Sequence, residues 1–472
     1  MLFQMLLPLA ALAFITASTA TTTPSPDLQI QTTSGLVNGI YNDTAQTVRT
    51  FLGIPYAEAP VGLLRFAPPV AKAPLPATDP IDGSTFSGPC PQVYSYDNES
   101  IWSTLPYKIW NPAQMTENCL AVNIWAPARK DSVQGDEKSP VLLFIHGGGF
   151  GEGAGSVGFY DGSNLVRDQG DVVVVTFNYR LNIFGFPNAP GLDVAEQNVG
   201  LLDQRLAVEW VHRNIANFGG DPDRILLFGQ SAGAASVDAY SYAYPENPLV
   251  SALALESGTG TIIQNTDHAH QSWNNLSNAT GCGSGEQSLD CMREVPWQDV
   301  IDELANGSPS RNFAPVADNK TFFFNPADQA GRGELARLPT MGGITAQEFS
   351  ASISLSRPSA NETDIMEDVY NRFSCPLSDA LGLRIQQDIP TWRYVYHGNF
   401  PNLSPTTWIG AYHTSEIPMI FGTYNMTTLP SPSTPNEVEA SRYIQGAWVA
   451  FARDPENGLI EYGWPQFSPG GK

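Results

Sequence analysis

The sequence is poor in positive charge. Of its 472 residues only 24 are Lys or Arg, against 47 Asp or Glu, for a formal net charge of −23 at pH 7. A nucleic-acid backbone requires a basic footprint and an anionic membrane surface a polybasic segment, so neither is an expected partner. The imbalance suits a solvated exterior that keeps molecules apart. Cysteine is scarce as well, at five. No pair has zinc-ligand spacing and no His/Cys cluster stands out, so no metal is expected. The Gly-rich segments lack phosphate-cradling spacing, so no nucleotide or other cofactor is expected. Internal repeats and heptads are absent. Beyond residue 15 no apolar run is long enough to cross a bilayer, which leaves no integral membrane segment in the mature chain. Nothing in the sequence reports on oligomeric state. Histidine numbers only six, which keeps the list of candidate catalytic bases short.

The chain does carry an export signature. Residues 2–15 are apolar apart from Gln4 and Pro8, and Thr16, Ala17, Ser18, Thr19 and Ala20 follow. Cleavage after Ala20 places Ser18 and Ala20 where small side chains are required, so residues 1–20 read as a signal peptide and 21–472 as one mature domain. N-glycosylation sequons occur at Asn42, Asn98, Asn275, Asn278, Asn306, Asn319, Asn361, Asn402 and Asn425, a density that points to a secreted glycoprotein. In an oxidising compartment Cys282 can close a small loop with Cys291, and Cys90 a larger one with Cys119. Cys375 is left over.

Short apolar runs alternate with longer periodic ones. Residues 140–145 (P-V-L-L-F-I), 172–177 (V-V-V-V-T-F) and 225–228 (I-L-L-F) read as buried strands. Residues 201–218 carry a helical stripe of Leu202, Leu206, Val208, Trp210, Val211 and Ile215, stopped by Gly219-Gly220-Asp221-Pro222. Continuous Val/Ile/Leu strands separated by helices predict an α/β fold with a mostly parallel sheet covered on both faces. The polar, Pro-rich residues 429–436 read as a surface loop.

Chemistry begins where the third strand ends. Gly229-Gln230-Ser231-Ala232-Gly233 follows I-L-L-F directly and leads into Ala234, Ala235 and Ser236. A sharp strand-to-helix turn crowds its own backbone, so only residues without bulk fit beside the serine. The turn lifts the Ser231 hydroxyl above the sheet edge and leaves the first helix amides free to face a developing anion. Upstream, His146-Gly147-Gly148-Gly149-Phe150 follows another buried strand. Amides of Gly148, Gly149 and Ala232 would together form an oxyanion hole. A nucleophilic serine needs a base, and the base an orienting acid, in the chain order Ser, acid, His. His146 belongs to the glycine turn, His212 to the helix before the elbow, and His268 and His270 precede any candidate acid. His413, in a loop leading to an apolar helix, is the expected base. His397 ends the strand-like Tyr394-Val395-Tyr396 and is expected to pack there. Glu348, after a strand end and turn, is the expected acid, with Asp318 and Glu334 as alternatives.

Further motifs run along most of the mature chain. They are Gly53-Ile54-Pro55-Tyr56-Ala57-Glu58-Ala59-Pro60-Val61-Gly62 with Leu64-Arg65-Phe66, then Glu117-Asn118-Cys119-Leu120 with Asn123-Ile124-Trp125. N-V-G-L-L-D-Q-R-L-A-V-E-W at 198–210 and Phe218-Gly219-Gly220-Asp221-Pro222 precede the elbow. In these the chain resembles the type-B carboxylesterase and lipase family. The resemblance implies an α/β-hydrolase fold, a triad of Ser231, Glu348 and His413, a disulfide-closed surface loop between Cys90 and Cys119, and a structural ion pair of Arg65 with Glu117. The sequence departs from that pattern in its short interval of 65 positions from Glu348 to His413, in its early C-terminus, and in Gln347 where relatives often carry an acidic residue.

The expected activity is hydrolysis of a small-molecule or lipid carboxylic ester through an acyl-serine. Two rivals share the fold: a non-catalytic adhesion relative, and a transacylase in which another alcohol or an amine replaces water. The loop from Cys90 to Cys119 holds Tyr94, Tyr96, Trp102, Tyr107 and Trp110, an aromatic lip suited to apolar or aromatic esters unless the rings pack beneath it. It carries no strong amphipathic lid helix, which favours a carboxylesterase over an interfacial lipase.

Overall fold

A computed structural model describes residues 25–42, 46–93, 101–105, 114–128, 138–261, 265–267, 269–306, 313–352, 366–367, 369–406, 408–427 and 429–468. The strands are β1 (Gln29–Thr32), β2 (Gly35–Asn38), β3 (Ile40–Tyr41), β4 (Val48–Pro55), β5 (Ile81–Asp82), β6 (Ala121–Pro127), β7 (Ser139–Ile145), β8 (Val173–Phe177), β9 (Gly220–Gln230), β10 (Ala252–Glu256), β11 (Thr340–Thr345) and β12 (Thr391–Tyr396). β1, β2 and β5 form a small separate sheet. The other nine form one sheet in the order β12-β11-β10-β9-β7-β8-β6-β4-β3. From β12 to β8 every neighbour is parallel; β6, β4 and β3 continue antiparallel.

The parallel centre is where the longest apolar runs lie. Val141 to Ile145 and Val173 to Val175 are fully buried, so both faces of these strands are covered. Each such side chain contributes about 1.5–3 kcal/mol by leaving water. One cluster, with Leu143, Val175, Val208 and Val211, packs under the helix Val199–Phe218; the other, with Phe144, Phe228, Phe421 and Trp448, packs under the helix Pro435–Arg453. The predicted helix over 201–218 starts two residues earlier, and the strand expected from 225 starts at Gly220, immediately after Gly219 ends the helix.

The loop reading of 429–436 is corrected at its end. Pro435 and Asn436 open a helix capped by Thr434, which accepts from the Glu437 amide while the Glu437 carboxylate accepts from the Thr434 amide. Cys90 is bonded to Cys119 and Cys282 to Cys291, and Cys375 is free and exposed. Arg65 grips Glu117 through two hydrogen bonds of 2.6 Å and also donates to the carbonyls of Met292 and Val295, tying the first disulfide loop to the chain just beyond the second. No helix among the described residues is long and apolar enough to cross a membrane. The predicted signal segment, Asn98, Asn361, His268, Tyr94, Tyr96, Tyr107 and Trp110 lie outside the described residues.

Asn402 corrects one glycosylation site. It is fully buried and donates to the Tyr424 carbonyl, so the folded chain has no room for a glycan there. Asn42, Asn275, Asn278, Asn306, Asn319 and Asn425 are exposed.

Candidate active site

β9 ends at Gln230, and the chain turns at once into the helix Ala232–Ala243, with Ser231 at the corner. Ser231 has φ 58° and ψ −121°, a conformation that costs a non-glycine residue about 1–3 kcal/mol. The surroundings hold it there. Its amide donates to the Glu256 carbonyl at 2.8 Å, and its carbonyl accepts from Ala235 at 2.9 Å. A side chain at position 233 would place its Cβ 2.0 Å from the Ile145 carbonyl oxygen, which is why the motif needs glycine there. Gly148, at φ +105°, is likewise hemmed in by the Glu152 carbonyl, 2.1 Å from where a Cβ would stand. Ala232 is the first residue of its helix, so its amide has no intrahelical acceptor.

Glu348 lies just beyond β11. Its Oε1 accepts from the Thr345 amide at 2.7 Å, and its Oε2 stands 2.5 Å from His413 Nδ1. The two segments are stitched together by a bridge between Gln347 and Tyr412 and by the His413 amide donating to the Glu348 carbonyl at 3.3 Å. Glu348 is only 2% exposed. With Nδ1–H committed to the carboxylate, Nε2 is left as the acceptor, and the Gln230 side-chain amide donates to it at 3.1 Å.

Ser231, His413 and Gly147 to Gly149 line a single open cavity of about 300 Å³, together with Trp102, Glu152, Tyr160 and Thr414. The ring of Trp102 meets the His413 ring edge-on, with centroids 6.4 Å apart. Ser231 and His413 both line this cavity without a hydrogen bond between them; the Gln230 side-chain amide meets the ring nitrogen instead. Such contacts commonly tighten only when substrate arrives.

The alternative residues stand elsewhere. Asp318 is consumed by a turn, accepting from the amides of Lys320, Thr321 and Phe322. Glu334 is exposed and pairs with Arg332. His397 is exposed at the end of β12 and lines a different cavity. His146 is buried against Tyr179, and burial pushes its pKa down to about 4, so it is neutral. Sequence reasoning missed Gln230, although it occupies the variable position of the serine motif. It also missed Glu256 and Glu416, buried acids that the sequence does not distinguish from solvated ones.

A serine raised on a strained strand-to-helix turn, beside a glycine loop and a His–Glu pair at the C-terminal edge of a mostly parallel sheet, defines an α/β-hydrolase of the ester-hydrolase class. The carboxylesterase family profile matches residues 26–373 and 357–471. A chlorogenic acid esterase of Aspergillus niger is 40% identical over 463 residues, which cover 94% of this chain and 89% of that protein. Secreted lipase 5 of Gibberella zeae is 34% identical over 93% of this chain and 88% of its own length. An acetylcholinesterase of Bungarus fasciatus is 29% identical, over 94% and 81%. The chain belongs to the carboxylesterase family and is a carboxylic ester hydrolase.

Proposed function

We propose that Ser231 is the nucleophile of a secreted carboxylesterase, with His413 as base, Glu348 as orienting acid, and the amides of Gly148, Gly149 and Ala232 as oxyanion donors. The observation that carries this is the shared cavity: an elbow serine and an imidazole fixed from behind by a buried carboxylate open onto the same space. On substrate entry the Gln230 amide gives up Nε2 to the serine hydroxyl. Nε2 takes the proton as Oγ bonds to the ester carbonyl carbon, and Glu348 stabilises the imidazolium. The alkoxide leaves with that proton as alcohol, and water then repeats the sequence on the acyl-serine.

The dimensions of the cavity and the Trp102 ring favour small, soluble esters over an aggregated lipid surface, in keeping with the name of the Aspergillus niger relative. The signal-like first twenty residues, the exposed sequons and the name of the Gibberella zeae relative support secretion. An organophosphonate tests the chemistry. It is expected to label Ser231 stoichiometrically and to abolish cleavage of a butyryl chromogenic ester; a fully labelled protein that still cleaves the ester contradicts the proposal. Rates on an ester series below and above its solubility limit test the substrate class, and a jump at the limit would point to a lipase.

A further inference from the structure

We infer that Glu152 sorts esters by charge: the catalytic cavity takes neutral esters and rejects those that carry a carboxylate of their own. The inference rests on the carboxylesterase reading above and adds to it a residue that decides specificity. Glu152 lies where the chain folds back on the glycine turn, with the amides of Gly151 and Glu152 both donating to the Gly148 carbonyl at 3.0 Å. That fold-back lays the Glu152 side chain over Gly148, its Cγ 3.1 Å from where a Cβ on Gly148 would stand. Glu152 is half-buried and lines the cavity with Ser231, His413 and Trp102. Its charge is felt across the cavity wall: burial chiefly, and nearby carboxyl groups that include Glu152, hold the Tyr160 hydroxyl above its ordinary pKa.

The charge balance of the cavity wall is one-sided. None of the residues described as lining it is Lys or Arg. His413 is the basic group among them, and Glu348 behind it answers the positive charge that the imidazole gains in the reaction. Tyr160 stays neutral. Glu152 therefore sets the sign of the wall, and that sign is negative. A carboxylate beside the proposed oxyanion turn does nothing for the developing oxyanion, which bears the same charge. Its effect is on which ester enters. At an effective dielectric of about 20, two like charges several Å apart repel strongly enough to lower a rate about tenfold or more. A neutral ester meets no such penalty, and repulsion of the wrong partner is a general route to specificity.

Two matched ester pairs test this: 4-carboxyphenyl against 4-carbamoylphenyl butyrate, and monoethyl terephthalate against ethyl 4-carbamoylbenzoate. Within each pair the shape is kept and the charge differs, at the alcohol end in the first and at the acyl end in the second. In at least one pair kcat/KM for the carboxylate member is expected to be lower than for the amide member by about tenfold or more. In that pair Glu152→Gln should raise the carboxylate-to-amide ratio at least about fivefold. The ratio is what is read, because removing a negative charge beside the oxyanion turn speeds both members alike. Equal kcat/KM within both pairs, or a ratio unchanged in Glu152→Gln, overturns the inference and leaves ester hydrolysis by Ser231 standing. Cleavage of neither amide member, or cleavage that survives phosphonylation of Ser231, overturns instead the reading on which the inference rests, and the inference falls with it. If Glu152→Gln fails to fold, an unchanged ratio in Glu152→Ser overturns it.

Discussion

The two halves of the proposed catalytic constellation are held by different physics. The nucleophile half is steric and local. Ser231 sits between a strand and a helix contiguous with it, and its backbone is forced by neighbours that leave no space for a side chain at position 233. The acid–base half is electrostatic and remote. Glu348 and His413 stand 65 positions apart and meet through one carboxylate–imidazole contact, one backbone hydrogen bond and one bridge. The first half should therefore fail by losing its fold when perturbed. The second should fail by losing its proton chemistry while the fold survives.

Glu348→Gln is the sharpest test of that division. The amide keeps the shape, and its carbonyl can still accept from the Thr345 amide. It no longer stabilises an imidazolium or fixes which ring nitrogen carries the proton. A drop in kcat on the order of 10⁴-fold is expected from the equivalent change in serine-hydrolase triads, with the unfolding midpoint barely moved. A large loss of stability with modest loss of kcat would place Glu348 among structural residues instead.

The steric half is broken by Gly233→Ala. A Cβ 2.0 Å from the Ile145 carbonyl oxygen forces β7 or the elbow to shift, which should cost about 3 kcal/mol or more and remove activity through the fold. Gly382→Ala is the control in a region without that constraint. It lies within the helix Cys375–Gln386, where a Cβ meets nothing within 4 Å, so it should gain about 0.5–1 kcal/mol. Denaturant midpoints of the two variants should move in opposite directions. Equal small shifts would mean that the elbow relaxes easily and is not sterically fixed.

The same division explains what the sequence reveals. Buried strands announce themselves as Val/Leu runs, and the elbow as a glycine pattern attached to one of them, because both signals lie within a few residues of their cause. His413 emerges by elimination among six histidines, but Glu348 leans on resemblance to a family, since no local feature distinguishes a carboxylate that orients a base from a solvated one. The Gln230 contact with His413 depends on where a distant loop lands. The Asn402 sequon is a three-residue pattern blind to burial, and the fold hides it beside Tyr424. The helix start at Pro435 was legible in principle: Thr434 and Glu437 stand three apart, as a capping box requires, but the Pro/Ser-rich run before them dominates a reading by composition.

Glu256 sharpens the comparison at the junction of the halves. Its carbonyl holds the Ser231 amide, and its side chain lies on the acid–base side, where Oε1 accepts from Trp448 at 2.8 Å and Oε2 has no partner. Burial outweighs the Trp448 hydrogen bond and pushes its pKa up to about 8 from an ordinary 4.5. The native protein therefore keeps this proton up to about pH 8, while the unfolded chain releases it near 4.5. Over that window the native state binds more protons, so stability falls as pH rises, by up to about 1.4 kcal/mol per pH unit, and the contribution is fully present only below 4.5. Glu256→Gln is neutral in both states and retains an acceptor for Trp448, so this slope should vanish. Urea midpoints at pH 5 and pH 8 should show wild type losing ground to the variant. Glu416 contributes a slope in the same direction, and because Glu256 is one of the charges that raise its pKa, the variant also removes part of that slope, which adds to the difference. Parallel pH profiles would show that Glu256 is already ionised in the folded chain, which requires a cation or an ordered water at Oε2.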